Sequence, residues 1–155
     1  MGLPGIDFPG LGCGLAIVRD GKILLYKRIN APEAEHWNIV GGKVDHMERS
    51  EAAARREAEE ESGLQIRSSE FLCLSEQVIE ADRQHWISMI YVTRDFIGEP
   101  ELTEPDKLSA LGWFDLDALP QPLSRFAADA VDALRKLEHK SAVRSSEGTK
   151  DALAL

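Results

Sequence analysis

The chain has 155 residues, of which 43% are hydrophobic and 29% are charged, and its formal charge is −9. That length is typical of one domain around a single core, and the acidic balance argues against a nucleic-acid-binding surface. No stretch reaches the length of a membrane span, and the N-terminus lacks the basic start and apolar run of a secretory signal. We therefore expect a cytoplasmic protein that binds neither nucleic acid nor a membrane.

Six apolar runs predict β-strands. In chain order they are Leu15–Arg19, Lys22–Arg28, Trp37–Val40, Phe71–Glu80, His85–Arg94 and Leu111–Phe114. The pair Asp20-Gly21, between the first two runs, is a two-residue hairpin signal. Residues 1–11 are rich in Gly and Pro and predict an extended lead-in.

Two segments have the apolar spacing of helices. The first begins near Ser50, a candidate N-cap, and ends at Gly63, which can adopt positive φ. Glu51 and Arg55 have the spacing of an ion pair along it. The second helix covers residues 124–139.

The order of these elements predicts an α+β fold. A mixed β-sheet sandwiched between helices fits the order strand, strand, short strand, helix, two strands, strand, helix better than a doubly wound sheet does. We expect a single domain over residues 1–140. Residues 141–155 show no clear period and predict a C-terminal tail, flexible unless a partner surface or a second copy holds it.

The two cysteines, Cys13 and Cys73, both lie in apolar, strand-like surroundings. Their spacing does not suggest a zinc site or a disulfide. We interpret both as small buried hydrophobic residues.

The stretch 42–64 reads GKVDHMERSEAAARREAEEESGL and carries the chemistry. Its helix places Glu57, Glu60 and Glu61 within one turn, just after a glycine pair. Three carboxylates on one face repel one another unless something positive lies between them. A hard divalent cation with oxygen ligands is the obvious candidate.

Seven positions of this stretch have a characteristic identity and spacing: Gly42, Glu48, Arg56, Glu57, Glu60, Glu61 and Gly63. With them, the chain resembles the Nudix hydrolases, and within them the MutT-like nucleoside triphosphate diphosphatases. Lys27-Arg28 at the end of the second strand, Trp37 before the glycine pair and the W-F-x4-L-P run over 113–120 extend the resemblance. It implies a Mg²⁺-dependent hydrolase, with Mn²⁺ as the alternative metal, that cleaves a diphosphate linkage in a nucleoside diphosphate derivative.

The residue chemistry agrees with that resemblance. A diphosphate repels nucleophiles, so its hydrolysis needs cations on the phosphate oxygens and an activated water. Glu57, Glu60 and Glu61 suit Mg²⁺, with the carbonyl of Gly41 or Gly42 as a further ligand, because glycine lets the backbone approach metal and phosphate closely. By resemblance, Glu57 and Glu61 are metal ligands, and Glu60 is either a ligand or the base.

Three further polar residues complete the expected catalytic group. We expect Arg56 to orient the carboxylates through a bidentate ion pair, with Glu48 as its partner just outside the metal ligands. By resemblance, the general base lies either in the stretch 42–64 or on a distant loop, where Glu104 is the matching candidate. An ordinary loop charge is the alternative interpretation of Glu104.

The chain departs from the usual pattern before Glu48. The preceding position is usually glycine, but here it is Met47, with His46 before it. Together they could narrow the loop or touch the substrate. His46 is more simply a solvated loop histidine than a metal ligand or proton donor.

By resemblance, residues outside the stretch 42–64 determine which substrate a family member cleaves. By resemblance, ADP-ribose hydrolases tend to carry a proline, and dinucleoside polyphosphate hydrolases a tyrosine, near residues 80–82, and this chain has neither there. The default prediction is therefore a nucleoside triphosphate, cleaved to monophosphate and diphosphate. The alternatives are a nucleotide-sugar or ADP-ribose diphosphatase, or a nucleotide-binding Nudix domain without catalysis.

Several side chains are candidates for contacting that nucleotide. Lys27 and Arg28 could contact its phosphate tail, and Gly41 allows the phosphates to approach the backbone. Trp37, His85 and Trp86 are candidates for stacking on the base, although strand packing explains each of them more simply. By resemblance, a homodimer is the expected assembly.

Overall fold

The computed structural model describes residues 1–153. The strands are β1 (Gly10–Arg19), β2 (Lys22–Arg28), β3 (Trp37–Asn38), β4 (Val40–Lys43), β5 (Gln65–Ile79), β6 (Gln84–Ile97) and β7 (Leu108–Asp115). The helices are α1 (Ser50–Ser62) and α2 (Arg125–Leu153), and a 3-10 turn (Glu80–Asp82) joins β5 to β6.

Strand β1 is the centre of a seven-stranded mixed sheet. The order is β3-β2-β1-β6-β5, with β4 also paired to β1 and β7 to β2. β1 runs parallel to β6 and antiparallel to β4 and β2. It pairs with β6 over residues 10–17 but with β2 only at residues 18–19, so the sheet opens into two leaves that share β1.

Two apolar cores lie on opposite faces of β1, because its side chains alternate between them. Cys13, Leu15 and Ile17 join the core under α1, whereas Ala16 and Val18 join the core under α2. On α1 the core side chains are small, which brings the helix close to the sheet: Ala53, Ala54 and Ala58. This sheet between helices confirms the predicted α+β class.

β2 has the predicted bounds, the predicted run Trp37–Val40 divides into β3 and β4, and the other four strands are longer than the apolar runs predict. β1 begins at Gly10 instead of Leu15, because the glycines that look like loop signals lie inside the strand. A Cβ atom on Gly14 would collide with the ring of Phe126 from α2, and one on Gly12 with the Ser88 hydroxyl. Glycine inside a strand marks such close approaches.

Helix α1 forms as expected, except at its start. Ser50 is its first residue, not its N-cap, and the Ser50 hydroxyl instead shares a 2.6 Å hydrogen bond with the Tyr91 hydroxyl. Gly63 ends the helix at φ 73°, with its N–H donating to the Glu59 carbonyl, as predicted. The expected Glu51–Arg55 ion pair is present at 3.5 Å.

Helix α2 continues well past the predicted end at His139. The segment 140–153 is helical, although its sequence shows no clear period; residues 154–155 lie outside the described part. A helix anchored by packing at Ala127–Leu134 can extend through residues of good intrinsic propensity, and its side chains over 135–147 are exposed. The domain boundary at residue 140 stays a prediction. In the described part of the chain, no helix is both long and apolar enough to cross a membrane.

Both cysteines are free, as predicted: Cys13 is buried and Cys73 is partly buried. Burial raises the pKa of the Cys13 thiol to about 12. A thiol that stays protonated at neutral pH is a poor nucleophile and a poor metal ligand.

The N-terminal segment is a turn and not an extended lead-in. Its Gly5 carbonyl accepts a hydrogen bond from the His85 N–H at 2.9 Å, which fastens the turn to β6. Cβ atoms on Gly5 and Gly10 would both collide with the indole of Trp86. The glycines of this segment therefore let it close over one tryptophan.

Met47 adopts the left-handed φ of 69° that favours glycine, and its side chain is exposed. We expect Met47→Gly to raise the free energy of unfolding by up to about 1 kcal/mol, because the Cβ penalty disappears and no packing is lost. Met47→Ala keeps the Cβ atom and should give no such gain. Urea unfolding of both variants tests this, and equal midpoints would contradict it.

Candidate active site

Helix α1 brings two carboxylates against the backbone of β4. A Cβ atom on Gly42 would lie 2.6 and 2.7 Å from the two carboxylate oxygens of Glu57, so a side chain there would displace this carboxylate. The Gly41 N–H donates to Glu61 Oε2 at 3.3 Å. Gly42 thus leaves room for Glu57, whereas Gly41 allows the close approach of β1, because a Cβ atom on Gly41 would collide with the Cys13 carbonyl oxygen.

Arg56 holds the opposite end of the acidic group. Its guanidinium donates two hydrogen bonds of 2.9 Å to the Glu48 carboxylate, which is the predicted bidentate pair. A third hydrogen bond of 2.9 Å goes to Glu57 Oε1, and Glu60 Oε2 lies 3.7 Å away. One arginine therefore links the loop before the helix to the acids on the helix.

The acids differ in how well their charges are compensated. Burial raises the pKa of Glu61 to about 8, and the negative charges of Glu57 and Glu104 act in the same direction. Burial also raises the pKa of Glu57, against the opposing effect of Arg56. The hydrogen bonds from Arg56 lower the pKa of Glu48. Glu61 is therefore the least compensated carboxylate of the group.

These oxygen donors have the chemistry that a hard divalent cation prefers. Among the described residues, however, no three acidic, histidine or cysteine side chains are already arranged to hold a metal ion. Glu57 is turned toward Arg56, and the Glu60 side chain is 53% exposed. The residues fit a cation in type and charge, and binding one requires at least one of these side chains to turn.

Glu104 comes from a loop far along the chain and faces the same acids. The loop is tied to α1 by the Thr103 hydroxyl, which donates to the Glu60 carbonyl at 2.6 Å. The charge of Glu104 acts on the pKa of both Glu57 and Glu61, which shows that it lies near them. Its own side chain is 28% exposed, with the ammonium of Lys107 3.6 Å away.

A cavity of about 340 Å³ opens beside the same glycines. Gly41 and Gly42 line it, whereas the acids of α1 do not, so β4 stands between the cavity and the acids. Its other main walls come from the N-terminal turn and from strands β1, β5 and β6: Pro4, Ile6, Gly12, Gln77, Trp86 and Ser88. A ligand in the cavity could reach the acids by crossing the glycine backbone.

Comparison with known proteins identifies the family. A model of the NUDIX domain matches residues 10–137 of the chain. The chain belongs to the Nudix family. This confirms the predicted Nudix fold and the prediction of an enzyme that hydrolyses a diphosphate linkage. Nudix hydrolases generally use divalent metal ions.

Three relatives illustrate the range of the family. The chain is 34% identical to an ADP-ribose pyrophosphatase of Methanocaldococcus jannaschii, over 73% of this chain and 66% of that enzyme. It is 33% identical to an oxidized purine nucleoside triphosphate hydrolase of Danio rerio, over 74% of this chain and 70% of that enzyme. A crystal structure of a MutT NUDIX hydrolase from Burkholderia pseudomallei matches with 47% identity and a TM-score of 0.79, covering 82% and 98% of the two chains. The chain thus spans about two thirds of the curated relatives' length and nearly all of the structural neighbour.

Of the expected substrate contacts in this Nudix domain, only some face the cavity. Arg28 and Gly41 line it, and burial lowers the pKa of the Arg28 guanidinium. Lys27 instead lies 3.5 Å from Glu35, and Trp37 packs edge-on against Phe114 with 5.1 Å between ring centroids. Neither of these two is part of the cavity wall.

Other cavity residues were missed by the sequence reasoning. Lys43 lines the cavity, with its ammonium 5.7 Å from the ring of Trp86. Asn38, Gln77 and Ser88 add polar groups. The available signal was that polar residues occupy inward positions of otherwise apolar strands, a costly arrangement unless each polar group is used.

We expect Glu61→Gln to raise the thermal midpoint of the metal-free protein in chelator. The pKa of Glu61 in the folded state, about 8, exceeds the roughly 4.3 of an exposed glutamate. Ionisation therefore disfavours the folded state, and the penalty grows as pH rises from about 4 to about 8. The gain from Glu61→Gln should be small at pH 4 and largest above pH 8.

The matched control is Glu59→Gln, which removes one charge from the same helix without changing the acidic group. Its effect on the thermal midpoint should vary little over the same pH range. A gain from Glu61→Gln that does not depend on pH would contradict the assigned burial of this charge.

Proposed function

We propose that this chain is a Mg²⁺-dependent nucleotide diphosphatase that converts a nucleoside triphosphate to its monophosphate and diphosphate. One observation carries the proposal: Gly41 and Gly42 support the acids of α1 and also line the cavity. A base in the cavity would place its phosphate chain across these glycines and toward the acids.

Glu57, Glu60 and Glu61, with the Gly42 carbonyl, are the residues that would hold the metal. Bound there, Mg²⁺, or Mn²⁺ in its place, would supply positive charge to the phosphate oxygens and polarise the attacking water. The raised pKa of Glu61 supports this assignment, because its buried carboxylate is costly to ionise and a bound cation would lower that cost.

The remaining roles, which are phosphate contact, orientation of the metal ligands and proton acceptance, fall to other side chains. Arg28 and Lys43 bring positive charge to the cavity, where a phosphate chain would leave it. Arg56 fixes the carboxylate of Glu57 through a 2.9 Å hydrogen bond. Glu60, Glu61 and Glu104 are the candidates for accepting the proton of the attacking water, and Glu104 approaches from a separate loop.

A fixed amide supports a nucleotide as the substrate. The Asn38 side-chain oxygen accepts hydrogen bonds from the Ser124 hydroxyl at 2.6 Å and from the Ile39 N–H at 3.0 Å. Ser124 in turn accepts from the Ala127 N–H at the start of α2. The Asn38 amide nitrogen is thereby turned to donate, and it lies in the cavity wall, where it could meet a base carbonyl.

Glu57→Gln and Glu61→Gln should each lower turnover by at least about a hundredfold, because each removes a charged oxygen ligand. Both variants should stay folded in thermal unfolding. Glu59→Gln, on the same helix, should keep the wild-type turnover. Near-normal activity in both Glu57→Gln and Glu61→Gln would refute the metal assignment.

A panel of nucleotides with Mg²⁺ tests the substrate class. We expect diphosphate release from at least one ribo- or deoxyribonucleoside triphosphate, the oxidised purine 8-oxo-dGTP included, as the Danio rerio relative's name suggests. A chelator should abolish the activity, and Mn²⁺ should restore it. The Methanocaldococcus jannaschii relative makes ADP-ribose the main competitor. Hydrolysis of ADP-ribose or UDP-glucose, with no triphosphate cleaved, would remove the preferred class.

A further inference from the structure

A chain of hydrogen bonds runs from the surface of α2 to the floor of the cavity. Ser75 donates to Asp129 Oδ2 at 2.6 Å, and the Gln77 side-chain nitrogen donates to the Ser75 oxygen at 2.6 Å. Ser88 donates to the Gln77 side-chain oxygen at 3.1 Å. The three linking side chains are all buried, whereas Asp129 is 28% exposed.

The direction of this chain is fixed at its outer end. A carboxylate can only accept a hydrogen bond, so Ser75 must donate its single hydroxyl hydrogen to Asp129. Ser75 can then only accept from Gln77, which sets the orientation of the Gln77 amide. With its oxygen facing Ser88, the amide can only accept there, and the Ser88 hydroxyl must donate to it.

The Ser88 oxygen consequently meets the cavity only as an acceptor. Its hydrogen is used by Gln77, and no donor among the described residues is bonded to its lone pairs. Gly12 keeps the space above this oxygen open, because a Cβ atom at that position would collide with it. Its lone pairs are therefore free to accept a hydrogen bond from a ligand.

We propose that Ser88 selects the base of the substrate by accepting a hydrogen bond from a base N–H, and that Asp129, Ser75 and Gln77 are positioning residues that hold Ser88 in this role. This inference rests on the proposed nucleotide diphosphatase function and names what its cavity recognises. The ligand feature is a ring N–H or an exocyclic amino group directed at the cavity floor.

The test compares pairs of nucleotides in which one member carries an N–H that the other lacks. The pairs are GTP with inosine triphosphate, ATP with purine riboside triphosphate, and 8-oxo-dGTP with dGTP. In the wild-type enzyme, at least one pair should differ by about tenfold or more in kcat/KM, since a site built for a hydrogen bond rejects the analogue that cannot form it. In Ser88→Ala the same ratio should fall to about twofold or less, with the loss in KM more than in kcat.

Asp129→Asn tests this chain of hydrogen bonds (the relay from Asp129 to Ser88) without changing a residue of the cavity wall. An amide at that position can donate to Ser75, which lets every hydrogen bond reverse and turns the Ser88 hydroxyl into a donor toward the base. The preference for the N–H member should therefore fall by at least about threefold. Asp132→Asn, one turn away on the same exposed helix surface, is the matched control and should keep the wild-type ratio.

The outcomes separate this inference from the proposed function. If the wild-type enzyme cleaves no nucleotide, the proposed function and this inference both fail. If it cleaves nucleotides but shows no tenfold pair, or if Ser88→Ala keeps the discrimination, only the role of Ser88 is overturned. If Ser88→Ala does not fold, Asp129→Asn decides, and an unchanged ratio in that variant overturns the relay.

Discussion

Much of this structure depends on the contact between the carboxylates of α1 and the glycine backbone of β4. Glu57 fits against that backbone because Gly42 has no side chain and because the alanines of α1 bring the helix close to the sheet. Glu61 accepts a hydrogen bond from the Gly41 N–H. Bringing like charges together in a partly buried place costs free energy. Arg56 offsets part of that cost through Glu48 and Glu57, and the part that remains is seen in the raised pKa of Glu61.

The short strand β4 contacts both the acids of α1 and the cavity. β4 pairs with β1, which pairs with β6 along most of its length and leaves β2 to a separate leaf. The cavity lies where these strands, β5 and the N-terminal turn meet, and the glycines of β4 form one of its edges. The cavity and the acids are therefore separated only by the glycine backbone of β4.

Local signals predicted the parts of the molecule that local chemistry decides. The Asp20-Gly21 hairpin, the stop at Gly63 and the Arg56–Glu48 pair depend on residues close in sequence, and each is present. The N-terminal turn depends on Trp86, and the glycines inside β1 depend on α2 and β6, which are distant in sequence. Such contacts leave no periodic signal, so glycine was interpreted as loop where it marks close packing.

The division between predicted and missed residues has a chemical cause. Cleaving a diphosphate demands nearly the same acids, arginine and glycines whatever the base, so those residues have a recognisable spacing. Reading the base demands polar groups on the strands that line the cavity, and any strand can supply them. Ser75, Gln77 and Ser88 can be buried because each donates to a partner and the series ends on the carboxylate of Asp129. The proposed metal ligands therefore lie in one contiguous stretch, whereas the residues of the cavity come from strands that only the folded sheet brings together.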